Sequence, residues 1–270
     1  LIEVNNGHRY WANGVLSSNC EFLIDSETLI NSITLAEMVG MNPIEQVGQI
    51  RWYKKPSPEH MYLVALDPSM GTGGNNAAIE IFEVPSFIQV GEWQHNITPI
   101  QGQVKLLRDV LRYLDQEVGN MNKLYWSIEN NSVGEAGLIV IKDLGEETFP
   151  GWFLSEPIRK GHVRKFRKGF NTTYGSKIAA CSRLKFLIEE HKMKINSRPL
   201  ISELKGFTAT GVSFKAKVGM TDDLVSALLL IVRMGVLLSE WDARVFEMLS
   251  ANDAIQQEED MPMPVFYSVF

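Results

Sequence analysis

The chain has little cysteine. Cys20 and Cys181 are too few and too far apart for a disulfide framework or a thiolate metal site, which fits a reducing, intracellular setting. It also lacks a long apolar run. The most hydrophobic stretch, residues 224–238, contains Arg233 and is too short to span a bilayer, and no signal peptide stands at the start, so a soluble cytoplasmic protein without a membrane partner is expected. The five histidines (His8, His60, His95, His162 and His191) show no ligand spacing, which argues against zinc. The glycine turn at 71–74 has no Lys-Ser/Thr ending, so it is not a phosphate-gripping loop and ATP is not an expected ligand. No Gly-x-Ser-x-Gly elbow supports a serine hydrolase. Internal repeats and low-complexity tracts are absent.

What remains is 270 residues, 45% hydrophobic, enough for one sizeable core. The first residue is Leu1 rather than methionine, which reads as a fragment of a longer polypeptide. A formal net charge of -6 argues by itself against a nucleic-acid binder, but the charge is unevenly spread. Arg159, Lys160, Arg164, Lys165, Arg167 and Lys168 fall in one short segment without an acid. Such a run is a solvated face about as often as a binding surface.

Residues 1–57 read as a mixed lead-in, and Pro56-Ser-Pro58 marks a joint, because each proline removes a donor and disfavours helix before it. Beyond it, residues 61–67 predict a strand that enters the glycine turn 69–74, and strands at 77–83 and 88–93 complete an antiparallel meander. Val104, Leu107, Val110, Leu111 and Leu114 recur at helical spacing over 100–118. A strand follows at 124–129, and Ser132 with Glu135 predicts a capping box opening a helix. Residues 153–154 suggest a short further strand, the basic segment and residues 169–175 a loop, 176–191 a helix, and 207–214 a hairpin about Gly211. Thr221 is the expected cap of the last major helix, and residues 251–270 form an acidic tail. The order of elements predicts an α/β fold with a mixed sheet flanked by helices, as in a ribonuclease H-like core.

Two of these strands end in an acid. Residues 61–67 finish at Asp67 and residues 124–129 at Glu129, while Asp222 and Asp223 open the last helix. Each has a bland explanation: a turn aspartate before Pro68, a strand reaching solvent, or acids favoured by the macrodipole of a first helical turn. Charges at the tips of buried strands are nevertheless costly unless paired, and the conjunction points to a hard divalent cation. If the two strands lie side by side and parallel, Asp67 and Glu129 project at the same sheet end, with Asp223 docking beside them. Three carboxylates from separate elements suit an Mg2+ or Mn2+ pair acting on a phosphodiester.

These residues also resemble a known family. Leu66-Asp-Pro-Ser-Met-Gly-Thr-Gly-Gly74, Trp126-Ser-Ile-Glu-Asn130, Gly169-Phe-Asn-Thr-Thr173 before Lys177, and Asp222-Asp-Leu-Val225 resemble the large terminase subunit of T-even-like tailed phages, as does the lead-in from Cys20-Glu-Phe22 to Thr28-Leu-Ile30. The resemblance covers roughly residues 15–240. It implies a C-terminal ribonuclease H-like nuclease domain at 58–250, with 1–57 linking it to an N-terminal ATPase domain and 251–270 as a tail. It further implies metal ligation by Asp67, Glu129 and the Asp222-Asp223 pair, with Asp223 the favoured ligand of the two. Implied partners are double-stranded DNA, the portal protein and the small terminase subunit, in the host cell cytoplasm. The basic residues 159–168 and Lys177 would then meet the DNA backbone. One departure is Asn75, where some relatives carry an acid. Rival readings are another ribonuclease H-like nuclease, such as a junction resolvase or transposase, and a non-catalytic DNA-translocation or portal-docking module.

Overall fold

In the computed structural model, residues 2–4, 9–12, 15–18, 28–160, 163–211 and 213–250 are described. The tail 251–270 and the stretch 19–27 lie outside the described residues. Three short strands, β1 (Ile2–Val4), β2 (Arg9–Ala12) and β3 (Val15–Ser18), form an antiparallel sheet of their own.

The main body is a seven-stranded mixed sheet with helices on both faces, the expected α/β, ribonuclease H-like arrangement. After α1 (Ser32–Glu37) come β4 (Glu45–Val47), β5 (Ile50–Trp52), β6 (Met61–Asp67), β7 (Ala77–Val84) and β8 (Ile88–His95). Helix α2 (Ile100–Val118), strand β9 (Leu124–Ile128), helix α3 (Ser132–Leu144) and strand β10 (Trp152–Phe153) follow. The order across the sheet is β10-β9-β6-β7-β8-β5-β4. Strand β9 runs parallel to both β6 and β10, and every other pairing is antiparallel. Strands β6 and β7 lie at the centre, buried at every residue; β6 reads as an apolar run up to Asp67, while β7 carries the buried Glu80 and Glu83.

Strand alternation divides the core in two. Tyr62, Val64, Leu66, Ile79, Ile81, Trp126 and Ile128 face α2 and α3. Leu63, Ala65, Ala78, Phe82 and Val84 face the other way, toward α4 (Tyr174–Glu189), α5 (Arg198–Gly206) and α6 (Asp223–Ser239). Helix α6 is apolar almost all round because it is enclosed: it packs on β6 and β7 and against α4, α5 and α7 (Ala243–Ser250). The charge inside that run is accounted for. Arg233 donates to Glu156 Oε1 (2.7 Å) and to the Asn171 carbonyl (3.0 Å).

Several local expectations change. The folded unit extends ahead of the joint at Pro56–Pro58: Leu29, Ile30 and Leu35 enter the core, and β4 and β5 extend the sheet. The basic segment is a hairpin rather than a loop, with β11 (Glu156–Lys160) antiparallel to β12 (Val163–Arg167). Helix α3 is capped by Asn131, whose Oδ1 accepts from Val133 N and Gly134 N, and Ser132 is its first residue. Thr221 does not cap α6; the cap position is Asp222. The expected hairpin is present as β13 (Phe207–Thr210) and β14 (Ser213–Ala216).

The face under α5 carries a buried polar band. Gln89 Nε2 donates to Glu80 Oε2 (2.8 Å), while Arg51 Nε (2.9 Å) and Tyr53 OH (2.7 Å) both donate to Glu92 Oε1. Glu80 is fully enclosed, and its Oε1 has no partner. Burial, then the negative charge of Glu92, push its carboxyl well above the usual range. The fold therefore holds a proton there that the unfolded chain releases, and stability falls as pH rises from the ordinary glutamate range through the raised value. Glu80→Gln should increase stability by about 1 kcal/mol at pH 8 and leave it nearly unchanged at pH 4, measured by urea unfolding at both pH values.

Candidate metal centre

Register brings the first two acids together. Leu66 pairs with Ile128 across the parallel β6–β9 ladder, and Glu129 N donates to the Leu66 carbonyl (2.9 Å), so Asp67 and Glu129 stand level at one end of the sheet. By alternation Asp67 shares the face of Leu63 and Ala65, which α6 covers. The first residue of α6 is Asp223. All four predicted acids, Asp67, Glu129, Asp222 and Asp223, line one cleft of about 310 Å3, together with Asn75, Asn76, Asn131 and Ser226.

The acids in this cleft are held by hydrogen bonds from their neighbours. Asn76 donates to Asp223 Oδ2 through both its backbone N (3.1 Å) and its Nδ2 (2.7 Å). Asn131 Nδ2 donates to Glu129 Oε2 (2.6 Å) while its Oδ1 caps α3, so one side chain fixes both the acid and the helix behind it. Asp222 turns away and accepts from Ala216 N (3.3 Å). The loop after Asp67 is clamped by Gln103, which donates to the Ser69 and Thr98 carbonyls (2.8 and 2.7 Å) and accepts from Ser69 N (3.2 Å).

Electrostatically the cleft is crowded with like charge. Burial raises the Asp67 carboxyl well above its ordinary value, and the charge of Glu129, a hydrogen bond to it, and the charges of Asp223 and Asp222 raise it further. Burial also raises Asp223, against the two Asn76 hydrogen bonds, which lower it. Among the described residues no three Asp, Glu, His or Cys side chains stand in an arrangement that could hold a metal ion as they are. Glu129 accepts from Asn131, and Asp223 accepts twice from Asn76. The donor set itself, carboxylate, amide and hydroxyl oxygen, fits a hard divalent ion.

The cationic candidates divide. Register places Arg159 opposite Arg164 in the β11–β12 hairpin, which also carries Lys160, Lys165 and Arg167; their side chains lie outside what is described. Lys168 pairs with Glu146 and lies over the Phe153 ring, 5.8 Å from its centroid. Lys177 lies over the Phe207 ring at 5.5 Å, and with Glu129, Thr172, Ser226 and Arg233 it lines a niche of about 80 Å3 behind the acids. Asn76 and Asn131 were not foreseen as site residues. Asn131 carries a legible signal, an Asx residue directly before a helix, whereas Asn76 differs from Asn75 only by its place in the fold.

No family model matches the chain. Its fold is that of large-terminase nuclease domains. The large terminase nuclease of thermophilic phage G20c with bound magnesium superposes with a TM-score of 0.58 at 15% identity, covering 77% of this chain and 97% of that one. The cobalt-bound form of the same protein gives 0.57 at 15% identity over 77% and 97% of the two chains. The nuclease domain of the large terminase of Thermus phage P74-26 gives 0.52 at 16% identity, covering 73% and 90%.

The approach of α3 to the sheet end depends on Gly134, where a Cβ would lie 1.8 Å from the Glu129 carbonyl oxygen. Because the obstacle is backbone, Gly134→Ala should cost about 1–3 kcal/mol in a urea unfolding series. It should also displace Glu129, read as an altered amide cross-peak for that residue by NMR.

Proposed function

We propose that the chain is a metal-dependent DNA endonuclease, the nuclease part of a phage DNA-packaging terminase. The observation that carries this reading is the convergence of Asp67, Glu129 and Asp223 in one cleft at the end of a ribonuclease H-like sheet. The solved nucleases that share the fold include forms with magnesium and cobalt bound, which supports a divalent ion here.

Asp67, Glu129 and Asp223 would hold the two Mg2+ or Mn2+ ions. Such ions supply activation of water and neutralisation of the charge that builds on the phosphate as it is displaced in line. The protein's own contribution is orientation. Asn131 and Asn76 direct the Glu129 and Asp223 carboxylates, Gln103 holds the loop beside Asp67, and Asn75 adds an amide rather than a charge to the rim. Removing a proton from Asp67 costs least when a cation stands beside it, so ion binding and Asp67 ionisation are coupled.

The Lys and Arg residues of the β11–β12 hairpin, with Lys168 and Lys177, would contact DNA phosphates. Backbone contacts carry little sequence information, in keeping with cutting of concatemeric DNA at no fixed sequence. On this reading the partners are double-stranded DNA, an ATPase domain in the same polypeptide, the portal and the small terminase subunit, and the setting is the host cytoplasm. Among the described residues no helix is long and apolar enough to cross a membrane.

Supercoiled plasmid should be nicked and linearised with Mg2+ or Mn2+ and left intact with EDTA. Asp67→Asn should abolish cutting while preserving or raising the thermal midpoint, since it removes like-charge repulsion. Wild-type cutting by that variant would overturn the assignment. Each hairpin arginine that meets a phosphate should, when changed to alanine, reduce the salt slope of duplex binding by about 0.9, measured by fluorescence anisotropy in EDTA.

A further inference from the structure

Helix α6 delivers Asp223 to the cleft, yet the packing that holds α6 does not specify where its first turn sits. Apolar burial is non-directional, and α6 is enclosed by apolar side chains along most of its length. Its cap residue makes no side-chain capping bond: Asp222 is turned back toward Ala216 N. The capping function comes from another helix. Glu203 of α5, 7% exposed, accepts from Val225 N through Oε2 (3.1 Å), satisfying one of the free amides of the first turn. Its Oε1 accepts from Thr221 Oγ1 (2.9 Å), just before the helix, and from Gln94 Nε2 (2.8 Å) on β8.

We infer that Glu203 is a positioning residue for the candidate metal centre. It ties the start of α6 to strand β8 and so fixes the Asp223 carboxylate against Asn76 and the cleft. The inference rests on Asp223 being a metal ligand. A local cap would have satisfied Val225 N at less cost than a second buried carboxylate near Asp223. What Glu203 adds is the cross-link: one carboxylate joins α5, β8, the residue before α6 and the first turn of α6. An amide at this position presents one oxygen and one NH2 group, so it keeps the Val225 bond only if Gln94 flips its amide and Thr221 turns to accept, and it loses the negative charge that strengthens all three bonds.

The test is Mn2+ titration of the 270-residue chain by calorimetry, for wild type, Glu203→Gln and Thr221→Val, with duplex DNA affinity in EDTA measured alongside. Residues that orient ligands typically contribute about 10–100-fold to metal affinity, and Glu203→Gln should lose Mn2+ affinity in that range. Its DNA affinity in EDTA should stay unchanged, and cleavage should recover as Mn2+ is raised. Thr221→Val, which removes one donor and keeps the cap, should lose about 3-fold and serves as the deciding variant should Glu203→Gln not fold. Mn2+ affinity within about 2-fold of wild type in the folded deciding variant would overturn the inference while leaving the nuclease reading standing. A wild-type chain that binds no Mn2+ would overturn both.

Discussion

Like charges gathered at the edge of an apolar core are the constraint on which this structure turns. Asp67 ends a strand buried at every residue, and the acids nearest it are Glu129, Asp223 and Asp222. Without a cation, such a group is tolerated only where protons and hydrogen-bond donors offset the repulsion. The cleft supplies such donors. Asp67 has its proton affinity raised, and Asn76 and Asn131 direct amide donors at the two acids beside it. On the proposed reading, a divalent ion in the cleft would offset the same repulsion.

The cost of this arrangement is borne by polar groups extending well away from the cleft. On the face beneath α5, Glu80, Gln89, Glu92, Arg51 and Tyr53 form a hydrogen-bonded band, and farther along β8 Gln94 donates to Glu203, which accepts from the first turn of α6. The opposite face, under α2 and α3, is packed with Val, Leu, Ile and aromatic side chains. Both faces thus provide apolar stability, and the one under α4, α5 and α6 adds directional bonds. Arg51 and Tyr53 belong to the segment ahead of Pro56, so that segment takes part in the same network.

Much of the fold was legible. The apolar run of β6, the 3.6-residue period of α2 and the all-round apolarity of α6 are direct consequences of burial, and each was read within a residue or two of its observed bounds. Helix starts were less so. Ser132 and Thr221 both look like caps, but Asn131 outcompetes the first with two bonds, and the hydroxyl of the second is drawn to Glu203. The basic segment looked like a loop because apolar and charged residues are mixed on both faces of this two-stranded hairpin, which blurs the alternation of a strand. Residues 28–57 lacked a clear period because β4 and β5 are only three residues each, too short for alternation to register.

Sequence alone determined that acids terminate apolar segments, because the cost of burying charge makes that pattern unusual wherever it occurs. It determined Asp67, Glu129 and the Asp222-Asp223 pair as the residues to watch. It had no means of choosing Asn76 over Asn75, or of picking Glu203 from the other glutamates. Those roles depend on contacts between residues far apart in the chain, 147 positions for Asn76 and Asp223. Tertiary structure decided them, through the parallel register of β6 and β9 and the docking of α6, since only packing brings such distant groups within hydrogen-bond reach.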